Sequence, residues 1–217
     1  MPEPLHVLLV RHGESEGNAG HATEDAASAR LTPLGVRQAQ AVAASLTAAP
    51  ALFVMSSYTR SQLTAEPARA RFPDVPVEVW PVHEFTYLGP HVYAGTTVDQ
   101  RRPAVDAYWD AADPHRVDGE GAESFATFVA RVQQVRARLE SGSATPVVVF
   151  SHKKFINALL WSWLAGPLVV SAKRMARYRG FDHAVSFPNG GSVSILLGPD
   201  GPRLGPVRRD HLVGVVA

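Results

Sequence analysis

Four short runs of hydrophobic residues are separated by longer stretches with helical spacing of hydrophobic and polar positions. Each run is almost continuously apolar, which is the pattern of a strand covered on both faces of a sheet. Ser192 to Leu197 is a further strand candidate. The four runs are Leu5 to Val10, Ala51 to Met55, Val75 to Trp80 and Val147 to Phe150.

Helical spacing is clearest in four segments between and after these runs. Thr32-Pro33 forms an N-cap and first-turn pair, and Thr59 with Gln62 has the form of a capping box. Pro67 is expected to kink or end the second helix, and Gly166-Pro167 to end the fourth. The segments run from Thr32 to Leu46, from Thr59 to about Pro67, from Phe125 to Leu139, and from Lys153 to about Ala165.

This alternation predicts an α/β fold, a three-layer α/β/α sandwich with a mostly parallel central sheet. Residues 81–121 are rich in Pro, Gly, Tyr and His without a clean period, so we expect an inserted lid over the strand C-terminal ends. The chain, 1–217, is expected to be a single domain. The tail from Gly198 to Ala217 fits an edge strand, a subunit contact or a loose end, which leaves the oligomeric state open.

Composition narrows the function classes. Of 217 residues, 46% are hydrophobic, and the net charge of +1 comes from well-mixed signs, which argues against nucleic acid or an anionic membrane as partner. Cysteine is absent, which excludes disulfides and thiolate metal sites. No apolar segment has the length of a membrane span, and Leu5 to Val10 is too short for a signal sequence. We therefore expect a cytoplasmic protein.

Polar, chemically capable residues follow each of the four predicted strands. In an open α/β sheet, ligands bind beyond the carboxyl ends of the strands, so these groups are expected to converge. Arginines can clamp a phosphate, a neutral histidine can attack phosphorus, and a carboxyl group can protonate a leaving group. The groups are Arg11-His12, Ser56 to Arg60, His83-Glu84 and Ser151-His152.

A second interpretation of the first of these groups is a serine hydrolase. Gly13-Glu14-Ser15-Glu16-Gly17 spells G-x-S-x-G, the nucleophile elbow. That elbow normally lies after several strands, with an oxyanion loop from an earlier strand, and here no predicted strand precedes the first one. Ser15 is therefore expected to cap or line the turn rather than to attack.

The ordered set of motifs resembles the histidine phosphatase (phosphoglycerate mutase-like) superfamily, phosphatase branch. The resemblance runs from about residue 6 to residue 197. The matching pieces are Arg11-His12-Gly13-Glu14-Ser15, Asn18, Leu31 to Ala39, Ser56 to Arg60 with Thr64-Ala65, Glu84, Gly121 to Ser124, Ser151-His152 and Asn189 to Ser192.

The resemblance implies a role for each catalytic candidate. His12 would be the nucleophile that becomes phosphorylated, while Arg11, Arg60 and His152 would hold the phosphoryl oxygens. Glu84 would donate a proton to the leaving group and later activate water, with Glu14 as its rival. Neither a metal nor another cofactor would then be required.

Five further residues are candidates for phosphate or substrate binding. Asn18 could instead turn the loop, and Lys153 and the Arg101-Arg102 pair could instead face solvent. Tyr87, together with His91 and Tyr93, would form an aromatic wall for the leaving group. The five candidates are Asn18, Arg101, Arg102, Lys153 and Tyr87.

Three functions remain in competition at this point. A metal-independent phosphomonoesterase acting on a small phosphorylated substrate leads. A phosphoglycerate mutase is the alternative, although the segment between Asn18 and Leu31 lacks the aromatic-tryptophan-acidic pattern usual in mutases. A noncatalytic protein that binds a phosphorylated ligand is the third. The sequence does not identify the physiological ester.

Overall fold

The strands form one sheet in the order β3-β2-β4-β1-β5-β6. The computed structural model describes residues 4–166 and 169–215, to which all statements below refer. The strands of the described chain are β1 (Leu5–Arg11), β2 (Leu52–Met55), β3 (Val77–Val79), β4 (Val147–Ser151), β5 (Ser192–Gly198) and β6 (Gly201–Arg208).

Helices of the described chain connect these strands and cover the sheet. They are α1 (Pro33–Ser45), α2 (Thr59–Arg71), α3 (Pro90–Tyr93), α4 (Val98–Ala111), α5 (Phe125–Glu140), α6 (Lys153–Leu164) and α7 (Ala172–Ala184), followed by a short 3-10 helix (Asp210–Leu212).

Strand pairing brings the ends of the central strands together. β1, β2, β3 and β4 pair in parallel, β5 runs antiparallel to β1, and β6 runs antiparallel to β5. Arg11 lies opposite Ser151 in the register of β1 and β4. Of the alternatives for the tail, residues 201–208 are therefore an edge strand.

Alternating residues of the central strands pack on opposite faces of the sheet, as a two-sided sheet requires. Val7 and Val149 pack in a cluster that includes residues of α5 and α6. Val10 and Phe150 pack instead with residues of α1 and α2, such as Val42. The predicted three-layer α/β/α fold is confirmed.

The predictions about the ends of α1 and α2 were partly correct. Thr32 caps α1, and its hydroxyl accepts a hydrogen bond from the Gly35 N–H, as the sequence predicted. The prediction that Thr59 caps α2 was wrong, because Tyr58 occupies the N-cap. Pro67 does not end α2: buried Ala65 and Ala68 on either side of it pack against the sheet, which outweighs one missing hydrogen bond.

One strand is shorter than predicted, and three helices were not predicted. The run from Val75 to Trp80 forms only the three-residue β3, which is partly exposed because it lies at the sheet edge. Residues 81–121 contain two helices, α3 and α4, that the sequence did not predict. Polar residues and Pro103 in the middle of α4 obscure the helical spacing of its hydrophobic positions. Helix α7 was missed for a similar reason, since few of its residues are buried. Helix α6 ends at Leu164, and Pro167 of the predicted stop lies outside the described residues.

Candidate active site

A cavity of about 190 Å³ lies at the carboxyl ends of the central strands. Arg11 ends β1 and His12 follows it, whereas Arg60 comes from the first turn of α2. Glu84 comes from the segment after β3, and all four side chains line the cavity. The topology therefore assembles groups that are far apart in the chain.

The imidazole of His12 is buried and held in one tautomer. The Arg60 Nε–H donates to His12 Nε2 over 3.1 Å, and His12 Nδ1 lies 2.7 Å from the Gly13 carbonyl oxygen. Nε2 is thus an acceptor, so we assign the ring proton to Nδ1, which donates to Gly13. Burial lowers the pKa of His12 well below its usual range, and the charges of Arg60 and Arg11 lower it further. The ring is neutral, and the Nε2 lone pair accepts the Arg60 Nε–H.

Close backbone packing positions the turn that carries His12. A Cβ on Gly13 would lie 2.4 Å from the Gly35 carbonyl oxygen, and a Cβ on Gly35 only 2.0 Å from the Glu14 carbonyl oxygen. Only glycine therefore permits the turn to lie against the start of α1. Asn189 completes this arrangement, since its Nδ2 donates to the carbonyl oxygens of His12 and Gly13 at 3.1 and 3.3 Å.

Two arginines supply positive charge at the cavity. Arg60 Nη1 donates to the Ala26 carbonyl oxygen over 2.6 Å, and Arg11 Nη1 donates to the Phe187 carbonyl oxygen over 2.5 Å. Burial lowers the pKa of both guanidinium groups, and the negative charge of Glu84 opposes this shift. Because arginine stays protonated in proteins, the pair can stabilise a dianionic phosphoryl group.

His152 is the second buried imidazole. Its ring centroid lies 5.0 Å from that of His12, and its Nε2 lies 2.7 Å from Ser56 Oγ. Ser56 Oγ also accepts the Tyr58 N–H, and Nε2 is the acceptor that the described residues offer the Ser56 hydroxyl proton, so we assign the ring proton of His152 to Nδ1. Nδ1 has no hydrogen-bond partner within the described part of the chain. Burial lowers the pKa of His152 strongly, followed by the charge of Arg60.

The two candidate carboxyl groups lie in different surroundings. Glu84 lines the cavity, and its Oε1 accepts hydrogen bonds from the backbone N–H groups of Phe85 and Lys154 at 3.0 and 3.1 Å. Glu14 Oε1 instead accepts the Thr32 hydroxyl proton over 2.8 Å, which holds this side chain against the start of α1. Of the two, Glu84 has the position of a proton donor at the cavity.

Comparison with known proteins identifies the family. The family model described as the histidine phosphatase superfamily (branch 1) matches residues 7–180. The chain belongs to this superfamily. It is 30% identical over 173 residues to the glucosyl-3-phosphoglycerate phosphatase of Mycolicibacterium vanbaalenii, with 75% of each chain covered. The predicted family is confirmed, and the protein is a phosphatase.

Solved structures confirm the fold. A putative alpha-ribazole-5'-P phosphatase from Escherichia coli superposes with a TM-score of 0.73 at 22% identity, covering 94% of this chain and 96% of that one. A mycobacterial glucosyl-3-phosphoglycerate phosphatase superposes with a TM-score of 0.68 at 24% identity, covering 93% and 97%. The histidine phosphatase thus shares its architecture with phosphatases over nearly its whole length.

Two of the five substrate-binding candidates line the cavity of this histidine phosphatase. Asn18 Oδ1 accepts hydrogen bonds from Ser15 Oγ at 3.1 Å and from Asn189 Nδ2 at 2.9 Å. Arg101 is buried, donates from Nη1 to Thr23 Oγ1 over 3.1 Å, and lies over the ring of Tyr93. The insertion therefore contributes to the cavity wall through Tyr93 and Arg101.

The other three candidates lie elsewhere. Tyr87 is buried in an aromatic cluster with Phe85 and Tyr108, so the expectation that it walls the leaving group was wrong. Arg102 is largely exposed and pairs with Asp99 on the same helix. Lys153 lines a separate, neighbouring cavity.

The serine elbow lacks the parts that a serine hydrolase needs. Ser15 lines the cavity, but its hydroxyl donates to Asn18, and no hydrogen bond joins it to a histidine of the described residues. Residues 16–20 form turns rather than the helix that follows a nucleophile elbow. Sequence reasoning missed Asn189 as a site residue, although its Asn-Gly-Gly turn directly before a strand was a usable signal.

Two structural features are absent from residues 4–166 and 169–215. No helix there is long and apolar enough to cross a membrane. No group of three or more His, Asp or Glu side chains there has the arrangement of a metal site.

Proposed function

We propose that this phosphatase is a metal-independent phosphomonoesterase that works through a phosphohistidine intermediate on His12. The observation that carries this proposal is the 3.1 Å hydrogen bond from Arg60 Nε to His12 Nε2. It holds a neutral imidazole with its acceptor nitrogen beside a cation, in a cavity that also contains Arg11 and Glu84. Such a nitrogen needs no prior loss of a proton to attack phosphorus, and its lone pair becomes free when the Arg60 N–H turns from Nε2 to a phosphoryl oxygen of the substrate.

In the first step, His12 Nε2 attacks the phosphorus atom and the bond from phosphorus to the ester oxygen breaks. Glu84 donates a proton to that oxygen, so the product leaves as an alcohol. Arg11 and Arg60 stabilise the charge on the transferring phosphoryl oxygens, and the Nδ1–H of His152 is a further donor for them.

In the second step, water replaces His12 on phosphorus. The Glu84 carboxylate removes a proton from the water molecule as its oxygen attacks, and inorganic phosphate leaves. His12 returns to its neutral form, and Glu84 regains the proton that it donated. Division into two displacements replaces one difficult step by two easier ones.

The substrate class is a small phosphorylated molecule. The curated relative is named for the dephosphorylation of a phosphoglycerate ester, and the structural neighbours above are also named phosphatases. These names support transfer of the phosphoryl group to water rather than the mutase alternative. Phosphoglycerates therefore belong in the first substrate panel.

The test is phosphate release from a panel of phosphomonoesters in excess chelator, for the wild type, His12→Ala and Ser15→Ala. We expect chelator-resistant release that His12→Ala abolishes and Ser15→Ala retains. When the reaction of a substrate with a radiolabelled phosphorus atom is quenched during turnover, the protein should carry a label that acid removes and alkali does not. Loss of activity in chelator would contradict metal independence, and full activity of His12→Ala would remove the nucleophile assigned here.

Glu84→Gln tests the proton donor separately. We expect this variant to lose turnover of alkyl phosphates, whose leaving groups need a proton, far more than turnover of p-nitrophenyl phosphate, whose leaving group does not. Glu14→Gln is the matched control, and it should leave the ratio of the two rates unchanged. An unchanged ratio in Glu84→Gln would reject the general-acid role.

A further inference from the structure

A second cavity, of about 630 Å³, adjoins the catalytic cavity on the side of the 3-10 helix and of the segment that follows α7. We call it the basic basin, and its polar lining consists of Arg11, Gln38, Lys153, His183, Ser186, Asn189 and Arg209. No Asp or Glu lines it among the described residues, whereas Asp25 and Glu84 both line the catalytic cavity.

The positive charge of the basin is only partly balanced. Lys153 Nζ lies 3.4 Å from Asp182 Oδ1, and Lys154 Nζ lies 3.4 Å from Oδ2 of the same carboxylate. One buried carboxylate thus faces two ammonium groups, which leaves a net positive charge. Within the described residues, no ion pair or hydrogen bond joins the guanidinium of Arg209 to another side chain.

Arg11 connects the two cavities. Its side chain lines both of them, and its Nη1 is held by the carbonyl oxygen of Phe187, which also lines the basin. Arg11 Nε is buried and has no partner within the described part of the chain. A ligand with one anionic group in each cavity would therefore contact the same guanidinium from two sides.

We propose that the basic basin binds a second anionic group, a carboxylate or phosphate, carried by the substrate beyond its scissile phosphoryl group. This inference rests on the proposed function, since it places that phosphoryl group beside His12. The preferred substrates are then phosphomonoesters with an additional negative charge. Arg209 contributes to specificity, because it is the unpaired cation of the basin that does not touch the catalytic cavity.

The test compares esters in which a carboxylate replaces a neutral hydroxymethyl group. The pairs are 3-phosphoglycerate with glycerol 3-phosphate, and 6-phosphogluconate with sorbitol 6-phosphate. We expect Arg209→Glu to raise KM for the carboxylate member ~5-fold more than for its neutral partner, as reversal of an exposed charge allows. Arg203→Glu is the matched control, since Arg203 lies on β6 outside the basin, and it should leave both ratios unchanged.

A second measurement keeps the inference testable without turnover. Methylenediphosphonate carries two anionic phosphonate groups and cannot be hydrolysed. Calorimetric titration with it should show weaker binding to Arg209→Glu than to the wild type or Arg203→Glu. If no ester is hydrolysed, the proposed function fails and this titration alone decides on the basin. Where esters are hydrolysed, equal changes in KM for both members of each pair would overturn the inference.

Discussion

The backbone N–H of Lys154 donates a 3.1 Å hydrogen bond to Oε1 of Glu84, 70 positions earlier in the chain. Glu84 thereby accepts a free N–H group of the first turn of α6, where a negative charge is favourable. The same turn is tied to α7, because the Tyr178 hydroxyl donates to the Lys154 carbonyl oxygen over 2.7 Å. The position of Glu84 thus depends on α6 and α7 together.

Asp182 is expected to be a positioning residue for this turn. Its Oδ1 accepts the Asn157 Nδ2–H over 2.7 Å, and it faces Lys153 and Lys154. Burial opposes ionisation of Asp182, but the two lysines lower its pKa below the usual range. Asp182→Asn leaves both ammonium groups without their counter-charge and should displace the turn that holds Glu84.

We expect Asp182→Asn to lower kcat for alkyl phosphates ~10-fold, and kcat for p-nitrophenyl phosphate much less, as loss of a positioned general acid does. Steady-state kinetics with both ester types gives the ratio. Asp110→Asn, which removes an exposed ion pair with Arg179, is the control. An equal fall for both esters would point to a purely structural role.

Arg60 is predicted to act through its planar fork rather than through charge alone. Its Nε donates to His12 while its Nη1 donates to Ala26, and a lysine cannot maintain both bonds. Arg60→Lys should lower kcat ~100-fold, comparable to loss of one preorganised donor to a transition state. Arg69→Lys, at an exposed position of the same helix, should have wild-type kcat. A wild-type rate in Arg60→Lys would show that charge suffices.

Replacement of two different glycines by alanine should have opposite effects on stability, because only one of them lies in the contact between the His12 turn and α1. A Cβ at Gly35 meets the Glu14 carbonyl oxygen at 2.0 Å, so Gly35→Ala should lower the free energy of unfolding by about 2 kcal/mol. Gly180, inside α7, has no atom within 4 Å of its Cβ position apart from its neighbours in the same helix, so Gly180→Ala should raise that free energy by about 0.5 kcal/mol. Urea unfolding measures both, and a stabilised Gly35→Ala would disprove the close approach.

A partly buried neutral histidine makes the stability of the protein depend on pH. Burial, followed by the charge of Arg131, lowers the pKa of His83 to about 4. In the unfolded chain the pKa returns to about 6.5. Between these values the unfolded state binds the additional proton, so this contribution to stability is complete above about pH 6.5 and is lost as the pH falls toward 4.

His83→Gln should therefore flatten the fall in unfolding free energy between pH 6.5 and 4, by at most about 1.4 kcal/mol per pH unit. Urea unfolding at several pH values provides the measurement. His115→Gln, at an exposed position of a turn, is a suitable control. Parallel curves for the wild type and His83→Gln would contradict burial of a neutral ring.

The sequence predicted the composition of the cavity because chemistry-bearing residues followed four strands. Parallel pairing places those strand ends at one edge, so Arg11, His12 and Glu84 meet there whatever the lengths of the intervening segments. The same reasoning correctly placed Arg60 at the start of a helix that faces the cavity.

The remaining details depend on packing that no periodicity reports. Tyr87 lies in an irregular segment, where alternation does not indicate which side chains turn inward, and its ring joins the aromatic core. The direction of the Lys153 side chain depends on its ion pair with Asp182. Asp182 lies on α7, a helix that the sequence did not predict because its hydrophobic pattern is weak. Both side-chain positions depend on contacts between distant segments rather than on local structure.

The 3-10 helix after β6 has a consequence for the order in which the protein folds. His211 Nε2 donates to the Gly190 carbonyl oxygen over 2.8 Å, and the Gly190 N–H lies 3.1 Å from the carbonyl oxygens of Arg11 and His12. The turn that bears His12 is thus closed by a residue that lies far along the chain. A contact of such long sequence range has a large loop-closure entropy cost, so we expect this turn to become fixed late in folding.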